Sequence, residues 1–152
     1  MPVSGRFNKR QKLIYNAVLN VKNEATKLLK PGVNLTDFHE NVGEIMTSEL
    51  IKLGLLNITD VKNQKRDKPL YKKYFMHGTS HHLGLDTHDY GLIDKKIKAN
   101  MVFTVEPGIY IPKEGIGIRL EDVVVVKENR DPLNLMKSIP IEIEEIEDLM
   151  NN

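Results

Sequence analysis

Met101–Val126, MVFTVEPGIYIPKEGIGIRLEDVVVV, sets the architecture of this chain. Val102, Thr104 and Glu106 alternate with Phe103 and Val105; Ile118, Leu120 and Asp122 alternate with Arg119, Glu121 and Val123. Period-two alternation rich in β-branched residues is the signature of a strand. Pro112-Lys113-Glu114-Gly115 between the arms suits a four-residue loop, so the stretch predicts a β-hairpin. Pairing Ile111 with Ile116 gives a register in which Glu106 faces Glu121. Two carboxylates opposed across a ladder repel. A shared proton, a basic partner or a metal ion would hold them there. The spacing equally allows a plainer arrangement, with Glu106 a solvated strand end and Glu121 paired with Arg119 two residues away. A slip by one residue would send one glutamate to the other face.

Upstream, Tyr74–Gly91 reads YFMHGTSHHLGLDTHDYG and holds His77, His81, His82 and His88, all but one of the chain's 5 histidines. His77 and His81 stand four apart, the spacing of a zincin helix. Gly78 occupies the place of that motif's glutamate, and Gly78, Thr79 and Ser80 make a poor helix interior. A single histidine is commonly a hydrogen-bonded structural residue, but so dense a cluster interleaved with glycines points to a site. Imidazole and carboxylate donors without thiolate suit divalent manganese, iron, cobalt or zinc. His81 with Glu106 and Glu121 would make a three-ligand open centre, and a water bound there would lose its proton near neutral pH. His77 or His88 would then move protons or steady an oxyanion, and Arg119 would hold a substrate carbonyl or carboxylate.

The remaining stretches read as a helical layer and its connections. Met1–Phe7 is a strand end or loop. Asn8 and Gln11 have the spacing of a capping pair, and Leu13, Ile14, Ala17, Val18, Val21, Ala25 and Leu28 follow as one apolar face. Lys30-Pro31-Gly32 stops that helix. A second helix starts near Thr36, carries Phe38, Val42, Ile45, Met46, Leu50 and Leu53, and ends at Gly54; His39 beside its stripe reads as structural. Asn57–Pro69 is a lysine-rich surface connection with room for a short helical turn. Asp94–Asn100 and Lys127–Asp131 are turns. A closing helix begins at about Glu142, with Ile143, Ile146, Leu149 and Met150 inward.

Composition limits the partners. A chain of 152 residues suits one domain. Charged residues make up 28%, hydrophobic residues 40%, and the net charge is +1, which argues against nucleic acid or a membrane surface as the main partner. No apolar run approaches the roughly 20 residues of a spanning helix. The absence of cysteine and of an apolar leader in MPVSGRFNKRQK leads us to expect a cytoplasmic protein.

The strings HGTSHHLGLDTHDYG, MVFTVEPGIYIP and GIGIRLEDVVVV closely resemble the aminopeptidase P (Xaa-Pro aminopeptidase) branch of the creatinase/methionine-aminopeptidase family. PVSGRFNKRQKLIYNAVL and IPIEIEEIEDLM look like the same branch, so the resemblance covers nearly the whole chain. It implies an α+β, partial pita-bread fold: a curved antiparallel sheet with helices packed on one face. It also implies two divalent metals, commonly manganese, with a bridging water or hydroxide that attacks the peptide bond before a proline in second position. Carried onto this chain, His81, Glu106 and Glu121 match metal ligands. His77 and His88 match the histidines that contact substrate and shuttle protons, and Arg119 matches the arginine of the I-R-x-E motif.

The family's two metal-binding aspartates precede the segment matching Pro2–Phe7, whereas the first aspartate here is Asp37. The expectation is therefore a single catalytic-type metallopeptidase domain over residues 1–152. It would lack the family's N-terminal domain and the first strands of the sheet, and would hold at most one ion, weakly. The same departure opens a second reading, a non-catalytic peptide-binding module or an inactive truncated fragment of this fold. Loss of leading strands would expose a sheet edge near Arg6, through which copies of the chain could associate.

Overall fold

Asn8 begins the helical layer. Its side chain accepts from Gln11 N at 2.9 Å while Gln11 Oε1 accepts from Asn8 N at 2.9 Å, the reciprocal capping box. The helix that follows, α1, spans Lys9–Leu28 and buries Ile14, Ala17, Val18, Val21 and Ala25. A computed structural model describes residues 1–91 and 94–152 of the chain. The next helix, α2 (Leu35–Lys52), begins just before Thr36, because Asn34 caps Asp37 N at 2.8 Å. Just past its end Gly54 adopts φ +71°, the left-handed conformation favoured after a helix. The lysine-rich connection contains one short helix, α3 (Ile58–Lys62).

The hairpin forms in the expected register, but as two ladders. β1 (Val102–Val105) pairs with β4 (Asp122–Val125), and β2 (Gly108–Ile111) pairs with β3 (Ile116–Arg119). Ile111 faces Ile116 across a loop closed by Gly115 at φ +64°. The break falls at Glu106-Pro107 and Leu120-Glu121, where proline offers no N–H to the ladder; Leu120 N still donates to Pro107 O at 3.3 Å. Val105 opposite Asp122 and Gly108 opposite Arg119 belong to one register. That register, continued through the break, sets Glu106 across from Glu121.

Three expectations change. β5 (Leu133–Asn134) adds to β4, with Val124 facing Asn134; two residues carry too little alternation to be read as a strand. The final helix, α4 (Ile143–Asn151), buries Ile143 and Ile146 against Tyr15 and Leu19. Leu149 is 65% exposed, so the inner face ends after the first turns. Residues 1–7 form turns, with Gly5 N bonded to Pro2 O at 3.0 Å. An open sheet edge therefore lies along β3, which among the described residues pairs only with β2, and not near Arg6.

One core joins the layers. Ile14, Val18 and Val21 from α1 meet Phe38, Val42, Met46 and Leu50 from α2 over Phe103, Val105, Ile109 and Val124 from the strands. Each of these apolar side chains contributes roughly 1.5–3 kcal/mol by leaving water. Their consequence for the site is directional: one face of β1 and β4 belongs to the helices, and the other is left for polar groups.

Candidate functional site

The segment from Thr79 to Leu83 runs antiparallel beside β1. Glu106 N donates to Thr79 O at 2.8 Å, Thr104 N to His81 O at 3.1 Å, and Leu83 N to Val102 O at 3.3 Å, with His82 bridged to Phe103. Strand alternation then sorts its histidines. His82 lies on the helix side, its ring centroid 4.4 Å from that of Phe103. His81 falls on the opposite face, beside Thr104 and Glu106.

His81 Nε2 stands 3.0 Å from Glu106 Oε1. Both groups are oriented from behind. His81 Nδ1 contacts the His82 carbonyl at 2.8 Å, so that nitrogen carries the hydrogen and Nε2 presents its lone pair to Glu106. Thr104 Oγ1 accepts from His81 N at 3.1 Å and donates to Glu106 Oε1 at 3.0 Å. A lone pair and a carboxylate oxygen at this separation need a cation between them, either a proton or a metal ion. Ligands of first-row metals lie at about 2.0–2.2 Å, so two adjacent ligands at right angles stand about 3 Å apart. The donor chemistry thus fits two positions of a divalent centre.

The third position is less complete. Glu121 is across the ladder and exposed. Among the described residues, no group of three or more His, Cys, Asp or Glu side chains is gathered closely enough to hold a metal ion. Arg119 does not take up Glu121 as its partner: the ion pair it makes is with Glu106 Oε2, at 3.9 Å. His88 packs edge-on against His81 with centroids 4.5 Å apart. His77 is placed farther along β2, where Nε2 meets the Tyr110 hydroxyl at 2.8 Å and Nδ1 the Gly78 carbonyl at 2.8 Å.

Sequence reasoning missed Thr104 and Tyr110. Thr104 could have been found, since it precedes Glu106 by two residues and must share its face. Tyr110 folds over Gly108, where an added Cβ would come within 2.7 Å of its hydroxyl; that crossing has no signature in spacing. His39 is structural, as expected. It packs on Phe38 and under Gly78, whose hypothetical Cβ would meet it at 2.9 Å. Burial, reinforced by Lys72, holds its pKa below the usual imidazole value.

Residues 1–128 match the model of metallopeptidase family M24. The chain belongs to this family. Over 162 residues it is 39% identical to the Xaa-Pro aminopeptidase of Haemophilus influenzae, an alignment covering 99% of this chain and 37% of that protein. It is 33% identical to human Xaa-Pro aminopeptidase 3, covering 97% of this chain and 31% of the relative. The structure of Escherichia coli aminopeptidase P with the inhibitor Pro-Leu superposes with a TM-score of 0.84 at 38% identity, covering 99% of this chain and 36% of that one. The zinc-substituted form of that enzyme with product gives the same score, 0.84. The M24 chain described here thus has the partial pita-bread fold that the resemblance implies, and spans 31–37% of the length of these relatives.

Proposed function

We propose that this chain forms the metal- and proton-handling part of an Xaa-Pro aminopeptidase, which hydrolyses the bond between an N-terminal residue and a following proline. The observation that carries the reading is the His81–Glu106 pair, 3.0 Å apart and oriented from behind, with Glu121 across the ladder. His81, Glu106 and Glu121 would hold a divalent ion, manganese by the donor set and the resemblance. When bound, such an ion supplies Lewis acidity and an ionised water at neutral pH.

The chain's own residues do the rest. Thr104 orients both donors. His88, against His81, is placed to pass a proton between solvent and the reacting centre. His77, whose ring nitrogens are taken by the Gly78 carbonyl and the Tyr110 hydroxyl, would face the substrate and donate to its carbonyl oxygen from Nε2 once Tyr110 is displaced. Arg119, 3.9 Å from Glu106 Oε2, helps hold that carboxylate in place. The two aspartate ligands that the resemblance implies are not among these 152 residues, so residues 1–152 are a catalytic-type domain that holds one ion weakly by itself. A cysteine-free chain of this kind suits the reducing cytoplasm.

One observation favours a second reading, a non-catalytic peptide-binding module: no three-donor cluster is gathered among the described residues. Mixing the chain in manganese with a polypeptide that supplies the aspartate-bearing strands separates the two. The first reading expects release of glycine from a Gly-Pro peptide and none from Gly-Ala. Tight peptide binding without cleavage under the same conditions would establish the second.

A further inference from the structure

One strand carries a charge into the core. Phe103, Val105 and Val124 are fully buried on the helix side of β1 and β4. Val105 is paired with Asp122, so Asp122 projects to that same side, where it is only 5% exposed. The Lys22 ammonium from α1, itself buried, meets its carboxylate. Asn134 Nδ2 on β5 donates to the same oxygen at 2.8 Å. Lys22 sits within the stripe of Val18, Val21 and Ala25. Apolar residues at both positions would fill the space without desolvating a charge, and a buried ion pair is seldom the most stable choice. Such pairs do fix geometry.

The geometry fixed here is that of the next residue. Successive strand side chains point to opposite faces, so pinning Asp122 toward α1 turns Glu121 toward Thr104 and Glu106. Glu121 lies in the break between the two ladders, and among the described residues its backbone makes no hydrogen bond. We propose that Lys22 is a positioning residue: its buried pairing with Asp122 locks the pleat of β4 and thereby aims Glu121 at Glu106. The inference rests on the proposed function only in taking Glu121 as a donor.

The chain contains no cysteine, so introduced pairs report geometry cleanly. Glu106 N and Tyr110 N both donate away from the hairpin partner, to Thr79 O at 2.8 Å and Tyr74 O at 2.9 Å. Positions 110/117 are therefore a non-hydrogen-bonded pair, with Cα atoms about 4.5 Å apart, within disulfide reach, and the same register continued through the break puts 106/121 in the same class. Under mild oxidation Glu106→Cys/Glu121→Cys should close readily. Adding Lys22→Met should slow closure at least ~10-fold, while the control Tyr110→Cys/Gly117→Cys keeps its rate and Lys22→Arg restores the first pair. Equal rates with and without Lys22 would overturn the inference alone. Failure of the 106/121 pair to close even with Lys22 present would sink the opposed glutamates, and with them both the inference and the proposed site. If circular dichroism shows Lys22→Met unfolded, Asp122→Asn, which keeps the shape of the side chain, takes its place in the same comparison.

Discussion

Thr104 ties the site together at the scale of single residues, since one hydroxyl accepts from the backbone of one donor and gives its hydrogen to the other. Thr104→Val keeps the shape and removes both bonds. Partners of this kind are worth about 10–100-fold in metal affinity, so calorimetry should find the variant weaker by that factor with its circular dichroism unchanged. Two titrating groups, one half-buried and one buried, make predictions of opposite sign. His39 has its pKa lowered by burial and then by Lys72. Its neutral form is favoured in the fold, so its stabilisation is complete above about pH 6.5 and is lost as pH falls through the folded value. The urea midpoint should drop between pH 7 and 5, and His39→Gln should flatten that drop. Tyr15 has its pKa raised to about 12 by burial, then by Glu142 and Asp122, and its hydroxyl donates to Ile141 O at 2.6 Å. Its stabilisation is complete below about pH 10 and is lost as pH climbs toward the folded value. Tyr15→Phe should flatten the alkaline decline in melting temperature.

At the scale of elements, the hairpin was legible because two rows of alternation and one turn leave a single register that buries Phe103, Val105 and Val124 together. The convergence of His81 with Glu106 was expected from the resemblance, not from that register. Its finer structure was not legible. The split at Pro107 depends on how the two ladders twist apart, and β5 exists only because β4 offers it an edge. The docking of residues 79–83 against β1, which aims His81, is a tertiary pairing without a local pattern. Helix α4 shows the opposite failure, a stripe read as four residues of which Ile143 and Ile146 are buried. Replacing Leu149 with serine should therefore change stability by no more than about 0.5 kcal/mol. Phe103→Ala, at a fully buried position between α1, α2 and His82, should cost about 3–5 kcal/mol in chemical denaturation.

For the whole molecule, helices on one face leave the other face of β1 and β4 to the polar row of Thr104, Glu106 and Glu121, and this division is what leaves room for the proposed site. Among the described residues the edge along β3 has no strand beyond it. An open edge pairs readily with another chain, so light scattering should show concentration-dependent self-association of this chain, and a monomer at every concentration would contradict that. The central claim is that His81, Glu106 and Glu121 share one divalent ion. X-ray absorption at the manganese or zinc edge of the loaded chain tests it most directly. The account predicts a shell of nitrogen and oxygen ligands with the outer scattering of one imidazole, which disappears in His81→Ala. A shell of water oxygens alone, identical in both proteins, would contradict it.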